Sequence, residues 1–297
     1  MRRIPAVQGA GAVKGEPFYR GRLAPSPTGH LHVGHARTFW MAWQRARAAG
    51  GTLVLRNDDL DRDRVRPEFV EAFQEDLAWL GLDWDEGPVA QSGRMGLYEE
   101  AFDRLKAGGW VYPCVCSRRD VLSALAAPHA GDEEPLYPGT CRGRFTGGDL
   151  DGTRVSWRMR LTEGEAVEFE DGAMGRQRCV AGRDIGDFVV WRHDGLPSYQ
   201  LACVVDDALM GMTEVVRGED LLVSTARQLW IYRALGWTAP SFFHCTLVRD
   251  DQGRRLAKRN AALSIRALRA AGRRPEDVLA SLCLEGGVAG TPRGGLP

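Results

Sequence analysis

The sequence predicts an α/β fold, a doubly wound parallel sheet broken by an insertion, and three features predict it. Residues 22–80 alternate short apolar strands with amphipathic helices, the order that parallel strands need for their crossovers. From about Cys114 to Val180 the pattern gives way to Gly, Pro and short alternating strands. From Asp187 the strand–helix alternation returns, so the middle segment reads as a module inserted into one domain. The expected organisation is a loose extension over 1–17, the first half of the α/β domain over 18–110, the insertion over 111–180, the second half over 181–250, and a short helical C-terminus over 251–297.

Taken in order, residues 1–17 are rich in Gly and Ala without periodicity, the composition of an untethered terminus. Leu23-Ala24 closes the first strand. A helix is expected from Gly34 to Ala49, with Phe39, Trp40, Trp43 and Ala46 at helical spacing and Gly50-Gly51 as its stop. Thr52–Arg56 is an apolar strand that runs into the acidic segment Asn57-Asp58-Asp59-Leu60-Asp61. A second helix spans Pro67 to Leu80, with Phe69, Val70, Phe73, Leu77 and Leu80 on one face and Gly81 at its end. Inside the insertion Val155–Arg160 alternates as a strand. Asp187–Trp191, Met212–Arg217 and Phe242–Val248 are the later strands, Ser224–Leu235 is a helix, and two short helices close the chain.

Composition narrows the class. The chain has 297 residues, 44% apolar and 26% charged, and its 39 basic residues balance 39 acidic ones. A net charge of zero gives no global support for nucleic-acid binding, so any RNA contact must use a local basic patch. Seven cysteines, an odd number, with no apolar leader, point to a reducing cytoplasm rather than a disulfide framework, and no segment has the length to span a membrane. Gly-x-Gly-x-x-Gly after a strand, a Walker phosphate loop, His-Glu-x-x-His and Gly-x-Ser-x-Gly are all absent, against dehydrogenases, P-loop kinases, zinc proteases and serine hydrolases.

Residues 22–35, Arg-Leu-Ala-Pro-Ser-Pro-Thr-Gly-His-Leu-His-Val-Gly-His, carry the most chemistry. Two prolines forbid a helix, Gly29 turns the chain, and His32 and His35 fall in the first turn of the helix that follows. A strand, a sharp turn and a helix N-terminus collect phosphate, because free backbone N–H groups and the helix dipole point at the ligand. Two imidazoles there can donate hydrogen bonds to a triphosphate as its charge develops. Arg22 ends a strand where burial without an anion is costly, which suits either a bound carboxylate or an ion pair with Asp58 or Asp59. Asp58, Asp59 and Asp61 can equally cap a turn. Arg217, at a strand end beside a Gly turn, sits where doubly wound sheets place ligands. Tyr199 alone reads as core, and Arg254-Arg-Leu-Ala-Lys-Arg-Asn260 alone reads as a solvated basic loop.

Cys114-Val-Cys116 and Cys141 bring soft thiolates together in a Gly/Pro-rich segment, a zinc site by ligand type. The fourth ligand is open between His129, favoured by the chemistry of imidazole, and Tyr137, four residues before Cys141. Cys179, Cys203, Cys245 and Cys283 are isolated in apolar context and read as packing residues, as do Trp157 and Trp191.

The segment from Arg22 to His35 resembles the ATP-binding signature of the class I aminoacyl-tRNA synthetases, in the glutamyl/glutaminyl branch, with His32-Val33-Gly34-His35 as its core. The resemblance runs over roughly 19–262 and implies a Rossmann-like catalytic domain. It implies that His32, His35 and Lys258 serve ATP, Lys258 matching the second lysine of the mobile Lys-Met-Ser-Lys-Ser loop. Arg255 and Ala257 depart from that loop's first lysine and its serine. Arg22, Ala24, Ser26, Asp58, Tyr199 and Arg217 would bind glutamate, Asp58 standing one methylene short of the family's glutamate. The Cys-x-Cys and Tyr-x-x-x-Cys spacing implies zinc on Cys114, Cys116, Tyr137 and Cys141. Only a short tail follows Asn260, where glutamyl-tRNA synthetases carry an anticodon-binding domain. In this the chain is similar to the glutamyl-queuosine tRNA(Asp) synthetases. The resemblance thus implies a ligase using L-glutamate and ATP with Mg2+ on tRNA(Asp) bearing queuosine, and a monomer in the cytoplasm is expected. A truncated synthetase charging a tRNA 3′ end and a non-catalytic RNA-binding module are the alternatives.

Overall fold

The computed structural model describes residues 18–117, 136–145, 154–248 and 264–284. The extension 1–17, His129, the basic run with Lys258, and the side chain of Cys283 lie outside the described residues.

The expected alternation is present. β1 (Arg20–Leu23), α1 (Val33–Ala48), β2 (Thr52–Asn57), α2 (Pro67–Trp79) and β3 (Glu86–Ala90) open the chain, followed by α3 (Met95–Ala107) and β4 (Val111–Cys114). β5 (Ser156–Met159), β6 (Ala166–Asp171), β7 (Gly175–Val180) and β8 (Val189–Trp191) come next. α4 (Tyr199–Leu209), β9 (Glu214–Gly218), α5 (Leu222–Leu235), β10 (Ser241–Cys245), α6 (Ile265–Ala270) and α7 (Pro275–Leu284) complete it. The sheets run β1-β2-β3, β7-β6-β10-β9 and β4-β5-β8. β10 pairs with β6 in parallel, whereas β4 with β5, β5 with β8 and β6 with β7 are antiparallel.

The described residues form two compact units. One holds 21–89, 216–220 and the described residues from 244 onward; the other holds those up to 20, 90–215 and 221–243. In the first unit α1 buries Val33, Ala36, Phe39, Ala42 and Ala46, a stripe at helical spacing, while β2 is buried from Leu53 to Asn57. Trp40 and Trp43, placed on that stripe by the sequence pattern, are only half-buried, because the Trp43 indole N–H donates to Asp83 and stays near the rim. α2 starts with Pro67 at its first turn and buries Phe73 and Leu77; Phe69 is half-buried, its ring 5.1 Å edge-on from His30.

In the second unit α3 buries Tyr98, Ala101, Phe102 and Leu105. Phe102 stacks on Trp191 at 4.7 Å and meets Trp157 edge-on at 5.6 Å, the packing role expected of both tryptophans. Asp206, fully buried on α4, accepts from Gln91 Nε2 (2.8 Å), Arg94 Nε (2.6 Å) and Tyr98 Oη (2.9 Å). Cys203 and Cys245 are buried packing residues as expected, and Cys179 is half-buried. No helix among the described residues is long and apolar enough to cross a membrane.

Candidate active site and metal centre

In the first unit the chain leaves β1, turns through Pro25–Gly29 and enters α1 at His32. His32 is the N-cap, with extended backbone (φ −119°, ψ 169°), and its Nδ1 accepts from Gly34 N–H at 3.1 Å. His35 Nδ1 accepts from His32 N–H at 3.4 Å, closing a reciprocal capping box, and the two rings stack at 3.7 Å. An Nδ1 that accepts a backbone hydrogen bond carries no proton, so each neutral ring bears its hydrogen on Nε2 and is a donor there. The first turn of α1 has no acidic residue, which leaves its positive end uncompensated for an anion.

The described residues on either side of 249–263 meet α1 and the turn that leads into it. Arg37 Nη2 donates to Thr246 Oγ1 at 2.7 Å, and Ser264 bridges to His32, with Ile265 N–H on Leu31 O at 2.9 Å.

Arg22, Ala24, Ser26, Asp58 and Arg217 lie in this unit with both histidines. Arg22 is buried and donates from Nη1 to Val216 O at 3.0 Å, which ties β1 to β9. Asp58 N–H donates to Pro25 O at 3.0 Å, bringing the acidic segment against the Ala24–Ser26 loop. The Asp58 carboxylate is held by Arg56, which donates from Nε at 2.7 Å and from Nη2 at 3.4 Å. The pair is local, joining Arg56 on β2 to Asp58 just past the strand's end. Arg217 is buried at the end of β9, and its Nε donates to Nε2 of His244, which is fully buried on β10, at 3.2 Å. Arg56 and His244 thus position two of the expected ligand residues. The adjacency of Arg56 to the acidic run could have suggested the first; nothing local marks His244.

Tyr199 belongs to the second unit. It is the first residue of α4 behind the Ser198 cap, 40% exposed, on the wall of a cavity of about 880 Å³ that also meets Cys116, Arg158, His193 and Arg227. Beside that cavity are the cysteines. The Sγ atoms of Cys114, Cys116 and Cys141 lie within 4.8 Å of one another. The Tyr137 hydroxyl is 3.4 Å from Cys114 Sγ and 3.6 Å from Cys116 Sγ, and accepts from Cys141 N–H at 2.9 Å. Four donors therefore converge, three soft and one phenolic, and this set fits a tetrahedral metal. Burial pushes the Cys116 thiol up to about 11 and raises the Tyr137 phenol, whereas Cys141 is lowered against its burial by the bond to Tyr137. Asp187 braces the loop from behind. It accepts from Tyr112 Oη at 2.6 Å and Leu161 N–H at 2.9 Å, and pairs with Arg142 Nε at 3.1 Å.

A family model for the catalytic domain of class I tRNA synthetases (E and Q) matches residues 19–291. The chain belongs to this synthetase family. It is 48% identical over 286 residues to a glutamyl-Q tRNA(Asp) synthetase of Symbiobacterium thermophilum, covering 92% of this chain and 88% of that protein. A glutamyl-Q tRNA(Asp) synthetase of Nitratidesulfovibrio vulgaris is also 48% identical, over 85% of this chain and 82% of its own length. Glutamate–tRNA ligase 1 of Halorhodospira halophila is 42% identical, over 89% of this chain and 58% of the ligase. The crystal structure of a glutamate tRNA ligase from Elizabethkingia meningosepticum in complex with its amino acid superposes with a TM-score of 0.72 at 26% identity. That match covers 82% of this chain, which spans about half of the ligase (52%).

In this synthetase Gly34 is under tight local constraint. A Cβ there would stand 3.0 Å from His32 Cε1 and 3.1 Å from its Nδ1, so the ring must shift by a few tenths of an ångström. Gly34→Ala is expected to lower glutamate-dependent ATP–pyrophosphate exchange about tenfold, since small misplacements of charge-stabilising groups are costly. Its melting temperature should hold or rise, because Ala stabilises a helix relative to Gly. Wild-type exchange in this variant would show that the His32 ring position is not used.

Proposed function

We propose that this synthetase activates L-glutamate with ATP and transfers it to queuosine in the anticodon loop of tRNA(Asp). The observation that carries the reading is the identity itself: the chain is 48% identical to two glutamyl-Q tRNA(Asp) synthetases, against 42% to a glutamate–tRNA ligase. The retained chemistry supports catalysis over a silent binding module. His32, His35 and Lys258 are all present, and so are Arg22, Asp58, Tyr199 and Arg217.

The two steps make different demands on these residues. An α-carboxylate oxygen of glutamate attacks the α-phosphorus of ATP in line. The bond to pyrophosphate breaks, and pyrophosphate leaves with the Mg2+ that accompanied ATP. Arg22 and Arg217 meet the substrate's two carboxylates and Asp58 its ammonium group; Tyr199 is the further residue that the family resemblance assigns to glutamate. Arg56, bonded to Asp58, keeps that carboxylate oriented. Nε2–H of His32 and His35 and the ammonium of Lys258 stabilise the charge that develops on the phosphates. A queuosine hydroxyl then attacks the carbonyl carbon of the adenylate, the bond to AMP breaks, an ester forms and the hydroxyl proton is lost. Cys114, Cys116, Tyr137 and Cys141 would hold a zinc ion whose role is to fix the fold of the insertion. Most of the rate enhancement is positioning and electrostatics.

The test uses purified protein, ATP, Mg2+ and labelled glutamate with queuosine-containing tRNA(Asp), unmodified tRNA(Asp) and tRNA(Glu), followed by nuclease mapping. Label confined to the anticodon-loop fragment of the queuosine-containing tRNA is the expected result. Label on the 3′ terminal adenosine of tRNA(Glu) would make the protein an aminoacylating synthetase instead. No label and no ATP–pyrophosphate exchange would overturn the catalytic reading.

A further inference from the structure

The cluster of Cys114, Cys116, Tyr137 and Cys141 poses a charge problem that its own residues do not solve. Three thiolates on a divalent cation leave net negative charge in a largely buried pocket, where unpaired charge is expensive. Two nearby arginines are engaged elsewhere: Arg142 pairs with Asp187, and Arg144 lies over Phe145 at 5.4 Å. Arg158 is placed differently. On the antiparallel ladder of β4 and β5 it faces Tyr112, while Cys114 faces Ser156, so Arg158 and Cys114 are diagonal neighbours. Its Nε donates to Cys114 Sγ at 3.2 Å, and its Cζ lies 3.8 Å from the centroid of the Tyr137 ring. On a third side Nη1 donates to Asp187 O at 3.0 Å. One planar guanidinium therefore meets one donor atom and the ring that carries a second, and is itself fixed by the backbone of the Asp187 segment that braces the loop.

We propose that Arg158 is the outer-sphere positioning residue of this centre, holding Cys114 and the Tyr137 ring in place and offsetting their charge, and so setting the affinity for the metal. The proposal rests on the metal-centre reading above. A hydrogen bond from a cation to a ligating sulfur fixes where that sulfur sits, and a guanidinium stacked on the phenol ring restricts how the ring can turn. Lysine cannot replace both functions, because an ammonium lacks the flat face and the fixed donor fork. The same guanidinium lines the 880 Å³ cavity beside Tyr199, so the metal centre also fixes one cationic wall of that cavity.

The experiment is zinc competition against a chromophoric chelator, on metal-stripped full-length protein. Wild type is compared with Arg158→Gln, Arg158→Lys and Arg160→Gln, the last a control whose guanidinium lies 4.9 Å from the Tyr112 ring centroid. Outer-sphere partners typically change metal affinity ten- to a hundredfold, so Arg158→Gln is expected to weaken zinc binding by roughly that factor. Arg158→Lys should recover part of the loss, and Arg160→Gln should bind as wild type. Melting of the metal-stripped proteins should coincide, which separates a weakened site from a misfolded one. If Arg158→Gln binds zinc like wild type, or Arg160→Gln loses as much, Arg158 has no such role although the metal centre stands. If wild type itself takes up no zinc, the metal-centre reading and this proposal fall together.

Discussion

Asp206→Ala is expected to remove about 3–5 kcal/mol of stability, the usual cost of deleting one partner from a buried charged network. The Asp206 carboxylate is fully buried and accepts from Gln91, Arg94 and Tyr98, of which Gln91 and Tyr98 are themselves buried. Truncation leaves an amide N–H, a phenol O–H and a guanidinium with no acceptor at their centre, and each retains its desolvation cost. At ~2–4 °C per kcal/mol for a unit of this size, the melting transition should fall on the order of 10 °C. Asp206→Asn keeps an acceptor oxygen and loses the charge, so it should fall by less. Urea denaturation of the three proteins checks the order, and an alanine variant within 1 kcal/mol of wild type would refute the network's role. The effect extends to the cavity, because Asp206 sits on α4, two turns beyond Tyr199 at the start of that helix.

How far the sequence can be read depends on the range of the interaction. The turn from Arg22 to His35 is legible because its determinants are local: two prolines, a glycine and two histidines set a strand end and a helix cap within one short segment. The cysteine module is legible for the same reason, since Cys114-Val-Cys116 lies on one strand end and Tyr137 is one short loop from Cys141. Residue chemistry alone favours His129 as fourth ligand, and only the Tyr-x-x-x-Cys spacing shared with the family favours Tyr137; the structure brings the Tyr137 hydroxyl to 3.4 Å and 3.6 Å from two thiols.

Other features escape because they depend on partners distant in the chain. Arg217 is recognisable as a strand-end arginine, but its contact with His244 joins neighbouring strands separated by a whole helix, and Asp187 draws on Tyr112, Arg142 and Leu161 from three segments. Pattern reading assigns no element to 86–113 or 199–209, where the structure has β3, α3, β4 and α4. In α4 the apolar run Leu201–Val205 ends in Asp206 and Asp207, both of which the structure buries. Tyr199, read as core when taken alone, is exposed.

Asp76 is the other buried carboxylate with a measurable consequence, and there the expected effect is on pH dependence. It lies fully buried in the last turn of α2, and neither of its oxygens accepts a hydrogen bond from a described residue. Burial pushes its carboxyl up to about 6, against the pull of Arg266, whose Nε is 3.9 Å away, and of His30. The carbonyl end of the helix dipole disfavours the carboxylate as well. Below the unfolded value near 3.8 both states are protonated and burial of the neutral acid is tolerated. Between there and about 6 the unfolded chain ionises while the native one holds its proton, so stability falls as pH rises, and it levels off once the native group ionises. A shift of this size corresponds to about 2–3 kcal/mol lost at neutral pH. Asp76→Asn removes the titration, so the stability of the variant relative to wild type should rise by about 2–3 kcal/mol between pH 4 and pH 7.5. Chemical denaturation at a series of pH values measures that difference. A difference that stays flat across the range would mean that the Asp76 carboxyl finds a compensating partner in solution. A rise confined to the window between about pH 4 and pH 6 would identify it as an ionised group held in the core at neutral pH by the rest of the fold, including the Arg266 side chain on α6.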